Sequence, residues 1–117
     1  MNLEDAIAHC LKQPHACETT PFGPEVLVYK VGGKLFALTE PEAFPPTMNL
    51  KCDPLRALDL RDRYNAIQPG YHMNKRHWNT VTLDGTLPAA LVRELIEHSY
   101  QLVVHGLPRK VREALVS

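Results

Sequence analysis

The sequence predicts one α+β domain: a twisted, mainly antiparallel sheet with helices packed on one face. Three observations carry that expectation. The chain has 117 residues, 44% of them apolar, which suits a single hydrophobic core. Two runs rich in β-branched and aromatic residues flank Gly32-Gly33, a hairpin signature. Apolar residues at helical spacing open the chain and return near its end. Hairpins dominate the first half, which favours antiparallel pairing.

The elements follow in order. Leu3, Ala6, Ile7, Cys10 and Leu11 fall on one helical face, with Asn2 as cap and Pro14 as stop. Cys10 lies on that face, so a core role is expected. Val26 to Val31 and Lys34 to Thr39 read as paired strands around the glycines. After a turn holding Pro41, Pro45 and Pro46, Met48, Leu50 and Cys52 alternate with Asn49 and Lys51. That is a half-buried strand with Lys51 pointing away from the core. Asp53-Pro54 starts a helix running to about Tyr64. Leu55 and Leu58 are expected to face inward, with Arg56, Asp59 and Arg63 nearer solvent. Gln68-Pro69-Gly70 breaks regular structure. Trp78 to Leu83 reads as a strand closed by Asp84-Gly85, with Trp78 expected as a core anchor. Pro88 opens the longest helix, whose stripe includes Leu91, Leu95, Leu102 and Val103. Gly106 ends it, and Pro108 begins a short last helix with Val111, Ala114 and Leu115. One helical layer would leave the other sheet face open to bind something.

Composition narrows the function classes. No apolar run approaches the roughly 20 residues that span a bilayer, so no membrane role is expected. The first residues carry two acids and no basic stretch, unlike a secretory signal. Three cysteines without a framework spacing fit reduced thiols, hence a cytoplasmic protein. Thirteen basic residues balance thirteen acidic ones. The balance is uneven along the chain. Residues 1–50 hold three lysines against six acids, a net of −3, and residues 51–80 hold six cations against three acids, a net of +3. A local field of that kind attracts anions. The alternative is an evenly solvated surface.

The most unusual segment is Pro69 to Asn79, which gathers His72, Asn74, Lys75, Arg76 and His77 with Tyr71 and Trp78. Loops that concentrate such residues often carry function. Lys and Arg suit phosphates, Asn suits a base edge or the backbone, and an aromatic ring can stack on a base. The competing reading is that the segment builds the fold. His72 and His77 are five apart, a spacing that suits neither one helical face nor one strand face. With no Cys-x-x-Cys, no metal site or cofactor is expected. Phosphate-loop, dinucleotide, serine-elbow and zinc-helix signatures are all missing, so a binding module is expected rather than an enzyme.

The segment His72-Met73-Asn74-Lys75-Arg76-His77-Trp78-Asn79-Thr80-Val81 resembles the MmcQ/YjbR family of small bacterial proteins. So do Leu83-Asp84-Gly85-Thr86-Leu87-Pro88, Ser99-Tyr100, Leu107-Pro108 and the Met48 to Cys52 strand. The resemblance covers essentially the whole chain. It implies a CyaY-like sandwich and DNA binding by a double-wing arrangement. The family's motif residues correspond to Asn74, Lys75, His77 and Trp78, with Lys51 nearby. Iron handling of the frataxin kind is not carried over, because the first helix has only Glu4 and Asp5 as acids.

These readings meet in one expectation: a monomer binding DNA through its basic middle segment. Lys51, Arg56, Lys75 and Arg76 would contact phosphates, with His72, Asn74 and His77 as polar contacts. Two rivals remain open. One is a protein–protein or small-ligand adaptor using the open sheet face. The other is an enzyme with an unfamiliar site around Tyr71, His72 and His77.

Overall fold

The computed structural model describes residues 1–116. Helix α1 (Leu3–Lys12) begins where the Asn2 carboxamide oxygen accepts the Asp5 N–H at 2.8 Å. Strands β1 (Cys17–Thr19), β2 (Leu27–Val31), β3 (Lys34–Thr39) and β4 (Thr47–Lys51) follow. Then come α2 (Pro54–Arg63), β5 (Ile67–Pro69), β6 (Trp78–Thr82), α3 (Ala89–His105) and α4 (Arg109–Val116). One six-stranded sheet runs in the order β1-β2-β3-β4-β6-β5, and every pairing is antiparallel. This is the α+β sandwich that the sequence predicts.

The core lies between the helices and one face of the sheet. Tyr29, Val31, Ala37, Met48, Leu50 and Val81 from the strands meet Ala6 and Cys10 of α1 and Leu95, Ile96 and Tyr100 of α3. The Phe36 and Tyr100 rings meet edge-on with centroids 5.5 Å apart, a favoured aromatic geometry. Gly32 turns the β2–β3 hairpin at φ +57°, and a Cβ there would meet Leu107 Cδ1 at 2.7 Å, so glycine is needed twice over.

A bulge at Phe36 interrupts β3: Tyr29 pairs with Ala37, but Lys30 pairs with Leu35. The extra residue puts Leu35 and Leu38, three apart, on the same face. It also takes the Phe36 carbonyl out of the ladder. Ser99, buried on α3, fills the gap. Its hydroxyl donates to the Phe36 carbonyl at 2.6 Å and accepts the Lys51 N–H at 2.8 Å.

Four expectations are corrected. Leu55 and Leu58 do not face inward; they are 79% and 56% exposed, while Ala57 and Leu60 are buried. Two residues along a helix turn the side chain by about 200°, so Leu58 and Leu60 cannot share a face. The rotation puts Ala57 and Leu60 in the core and lets the Arg61 guanidinium reach under β6. Gln68 and Pro69 are not an irregular break but belong to edge strand β5, where a proline costs no ladder bond. Strand β1 adds a fourth early strand; three residues, mostly exposed, leave no alternating pattern to read. Trp78 is half-buried on the open side, because the strand alternation assigns Asn79 and Val81 to the helical side.

Candidate functional site

The side of the sheet away from the helices forms the floor of a cleft of about 580 Å³. Strand register lays that floor out in rows. Val28 pairs with Leu38, Leu38 with Asn49, and Asn49 with Thr80, so these four cross four strands on one face. One pleat repeat along, on the same face, stand the Lys30–Leu35 pair and the Lys51–Trp78 pair. Three connections rise around the floor. Phe22 and Val26 come from the β1–β2 loop, Glu40, Ala43 and Pro45 from the β3–β4 loop, and Tyr71, His72 and Met73 from the β5–β6 loop. Phe22 and Tyr71 are about two-thirds exposed, which is unusual for aromatic rings at the mouth of an apolar hollow.

The β5–β6 loop is fastened to the floor. The Asn49 amide donates to the Tyr71 carbonyl at 3.3 Å, and Thr80 donates its hydroxyl hydrogen to Asn49 Oδ1 at 2.5 Å. The Tyr71 N–H donates to Thr80 Oγ1 at 2.9 Å. Asn49 is only 8% exposed, so this polar pair under the loop is satisfied rather than waiting for a ligand. His72 takes φ +60°, a left-handed turn that brings its ring to 4.0 Å from that of Tyr71. At Gly70 a Cβ would lie 2.8 Å from Trp78 Cβ, so only glycine lets the loop cross the tryptophan so closely.

The predicted contact residues divide accordingly. Lys51 shares the open face with the loop that carries Tyr71, His72 and Met73. Arg56 does not; it sits in the helical layer, paired with Glu94 of α3. That contact raises the guanidinium pKa and lowers that of the carboxyl. Lys75 is half of a loop closure, its ammonium donating to the Gly70 carbonyl at 3.1 Å. Asn74 shapes the same turn: its Oδ1 accepts the Arg76 N–H at 2.9 Å and its carbonyl accepts the Trp78 N–H at 3.0 Å. His77 is half-buried, and its carbonyl accepts the Cys52 N–H at 2.7 Å. Arg61, in the same basic stretch, donates to Asn79 Oδ1 at 2.7 Å and to the Trp78 and Lys75 carbonyls. Arg63 pairs with Asp59 along its own helix. Among the described residues of the basic middle segment, Lys51 and Arg76 are the cations whose side chains bond to nothing.

Sequence reasoning missed Lys30, Phe22, Glu40 and the Leu35–Leu38 floor. Lys30 could have been found, since it alternates with apolar residues in β2. The loop aromatic and the bulged pair carry no local signal. His98, half-buried on α3, accepts the Asp53 N–H through Nε2 at 3.2 Å. Burial and the neighbouring Arg56 charge lower its pKa. Cys52 is buried nearby, and burial raises its thiol pKa to about 11. Among the described residues no three of His, Cys, Asp and Glu gather as a metal-binding group. No described helix is long and apolar enough to cross a membrane.

Comparison with known proteins places this architecture. The YjbR family model matches residues 11–102. An uncharacterized Escherichia coli O157:H7 protein, YbdF, is 47% identical over 90 residues, covering 77% of this chain and 74% of its own. The uncharacterized YjbR of Escherichia coli K12 is 34% identical over 116 residues, covering 99% and 98%. The crystal structure of Deinococcus radiodurans protein DR2400, with a domain named DUF419, superposes with a TM-score of 0.90 at 44% identity, over 97% of this chain and 87% of that one. The match spans the strands that floor the cleft and the loop that walls it, and the chain belongs to the YjbR family.

Proposed function

We propose that this chain is a small-ligand binding module, cytoplasmic and without catalytic chemistry of its own, that works through the cleft on the open sheet face. One observation carries the reading: an apolar hollow of about 580 Å³, ringed by three loops, on the side of the sheet that no described helix covers. Ligand sites typically have that volume range and that mix of apolar lining with a few fixed polar groups. The Asn49–Thr80–Tyr71 bonds hold the wall in place before any ligand arrives, which reduces the ordering cost of binding. The ionisable groups lining the cleft are Glu40, His72 and Tyr71, with Lys30 and Lys51 on the same sheet face beyond the lining, and among the described residues no hydroxyl or thiol nucleophile is bonded to His72. Reduced cysteines, with Cys10 and Cys52 buried and Cys17 exposed, support the cytoplasmic assignment.

The test is a titration with indole as a neutral apolar probe, followed by backbone amide shifts. Shifts concentrated at Leu38, Asn49 and Tyr71, abolished by Leu38→Trp in a folded protein, support the cleft. No shifts at about 1 mM probe, the weak end of specific affinity, refute it.

Nucleic acid is the second reading, favoured by a specific observation: Lys51, whose ammonium has no partner among the described residues, stands on the same face as exposed Tyr71. Free cations beside a stacking ring suit a single strand better than a duplex groove. Arg76, also unpaired, extends the set; Arg56, Asn74 and Lys75 are engaged within the fold. Anisotropy with labelled single-stranded and duplex DNA at about 20 mM salt, where phosphate contacts are strongest, checks it. Lys51→Glu with Arg76→Glu should remove the binding; unchanged binding sinks the assignment.

A further inference from the structure

Resting on the cleft reading, we infer that the occupant is a small organic anion: a planar apolar ring carrying a carboxylate or phosphate, its ring over Leu38 and its charge at the Lys30–Lys51 end. Lys30 and Lys51 lie just beyond the cleft lining, brought by register to the same sheet face on either side of the lining residue Leu35. Lys30 pairs with Leu35 on β2–β3, and Lys51 lies on β4 opposite the bulge. The two lysines therefore stand on either side of β3 on the open face, two interstrand spacings apart, about 10 Å. Each is half-buried. Neither ammonium has a hydrogen-bond or ion-pair partner among the described residues. Lysine stems lie along apolar surface and leave their heads at its edge, so two heads can converge on one anion above Leu35.

The acid at the cleft is at the other end. Glu40 follows β3 and stands beside Thr47, two pleat repeats from Lys51 along β4, about 13 Å away. That exceeds the screening length of roughly 8 Å at physiological salt, so Glu40 does little to repel an anion held by the lysines. Between the two ends Leu35 and Leu38 line the floor, and Phe22 and the Tyr71–His72 ring pair line the sides, apolar and aromatic surface that suits a ring.

The bulge decides which side chain lies between the two lysines. In an unbulged ladder Phe36 would stand opposite Lys30 on the open face and Leu35 would turn toward the helices. Ser99 then holds the Lys51 backbone opposite that bulge.

The test uses three probes that share one ring and differ in the charge of the tail: indole-3-acetate, indole and tryptamine. Isothermal titration at about 0.15 M salt, where Glu40 is screened, should rank them in that order, with the anion about tenfold tighter than the cation. Lys30→Gln with Lys51→Gln should bring indole-3-acetate to the level of indole and leave indole itself unchanged. Equal or tighter binding of tryptamine overturns the anion inference while the cleft reading stands. Failure of all three to bind overturns both. A single-stranded oligodeoxyadenylate competed against bound indole-3-acetate separates the two sources of such an anion. Displacement assigns it to a nucleotide strand, and retention assigns it to a free molecule.

Discussion

Replacing Ser99 with alanine tests the joint between the helical layer and the bulged strand. One hydroxyl satisfies two backbone groups: it donates to the Phe36 carbonyl at 2.6 Å and accepts the Lys51 N–H at 2.8 Å. Both are taken out of reach of their usual ladder partners by the bulge. A buried backbone group left unpaired costs roughly 1–3 kcal/mol, so the pair costs about 3 kcal/mol when some relaxation is allowed. Alanine returns about 0.5 kcal/mol in helix propensity, which leaves a net loss of about 2–3 kcal/mol. Over 117 residues the unfolding entropy is about 0.25 kcal/mol per kelvin, so Tm falls by about 8–12 °C. Urea and thermal unfolding followed by circular dichroism measure the loss. Amide exchange at Lys51 locates it: the Ser99→Ala protein should exchange that amide through a local opening long before the neighbouring Leu50 amide. A Tm change under about 2 °C, or a Lys51 amide that stays as protected as Leu50, refutes the reasoning.

Four further outcomes are expected. Arg61→Met removes the bonds to Asn79 and to the Lys75 and Trp78 carbonyls, and should cost about 2–3 kcal/mol in urea unfolding, with faster amide exchange across residues 74–78. Leu60→Ala should cost about 2–5 kcal/mol, whereas Leu55→Ala and Leu58→Ala, at exposed positions, should each cost about 0.5 kcal/mol or less. His98 is held neutral by burial, Arg56 and its role as acceptor of the Asp53 N–H, so its folded pKa lies below the unfolded value. Its contribution is therefore complete above the unfolded value of about 6.5 and is lost as pH falls through that value toward the folded one; His98→Gln should flatten that part of the stability–pH curve. A thiol reagent at about pH 8, near the range of an ordinary thiol, should label Cys17 alone. Burial pushes Cys10 up to about 12 and Cys52 up to about 11, so they should react only on unfolding.

The parts of this fold that were legible in the sequence are those governed by local rules. The Asn2 and Asp53 caps and the Gly32-Gly33 turn each depend on a few adjacent residues, and each is found where the pattern predicts; along β4 the side chains alternate between faces, but Asn49 is buried under the β5–β6 loop, so the strand is not half-buried as expected. The rotation of α2 was not legible, because it is fixed by tertiary contacts: Ala57 and Leu60 enter the core, and Arg61 bonds to Asn79, 18 residues away. Leu55 and Leu58 are apolar and correctly spaced for a stripe, yet the helix turns them outward to bring that guanidinium under β6. The basic stretch was misleading for a related reason. Charge can be counted along the chain, but whether a cation is spent on a partner is decided by tertiary contacts. Arg56, Arg61, Arg63 and Lys75 all have one, and only then do Lys51 and Arg76 stand out.

The histidine–asparagine–lysine segment can therefore be separated into two jobs by its atoms. Asn74 and Lys75 turn inward to the Arg76 N–H and the Gly70 carbonyl, and their loss should loosen the loop whatever the ligand. Tyr71 and His72 turn outward over the cleft at its wall. A segment that must close tightly to present two rings over an open sheet needs both kinds of residue at fixed spacing. Asn74→Ala should therefore lower stability and ligand affinity together, since the wall is held by the turn. Tyr71→Ala should lower affinity and leave stability nearly unchanged, because the Asn49 and Thr80 bonds go to the Tyr71 backbone and not to its ring. A Tyr71→Ala protein that binds indole as well as the parent would place the ligand elsewhere on the sheet.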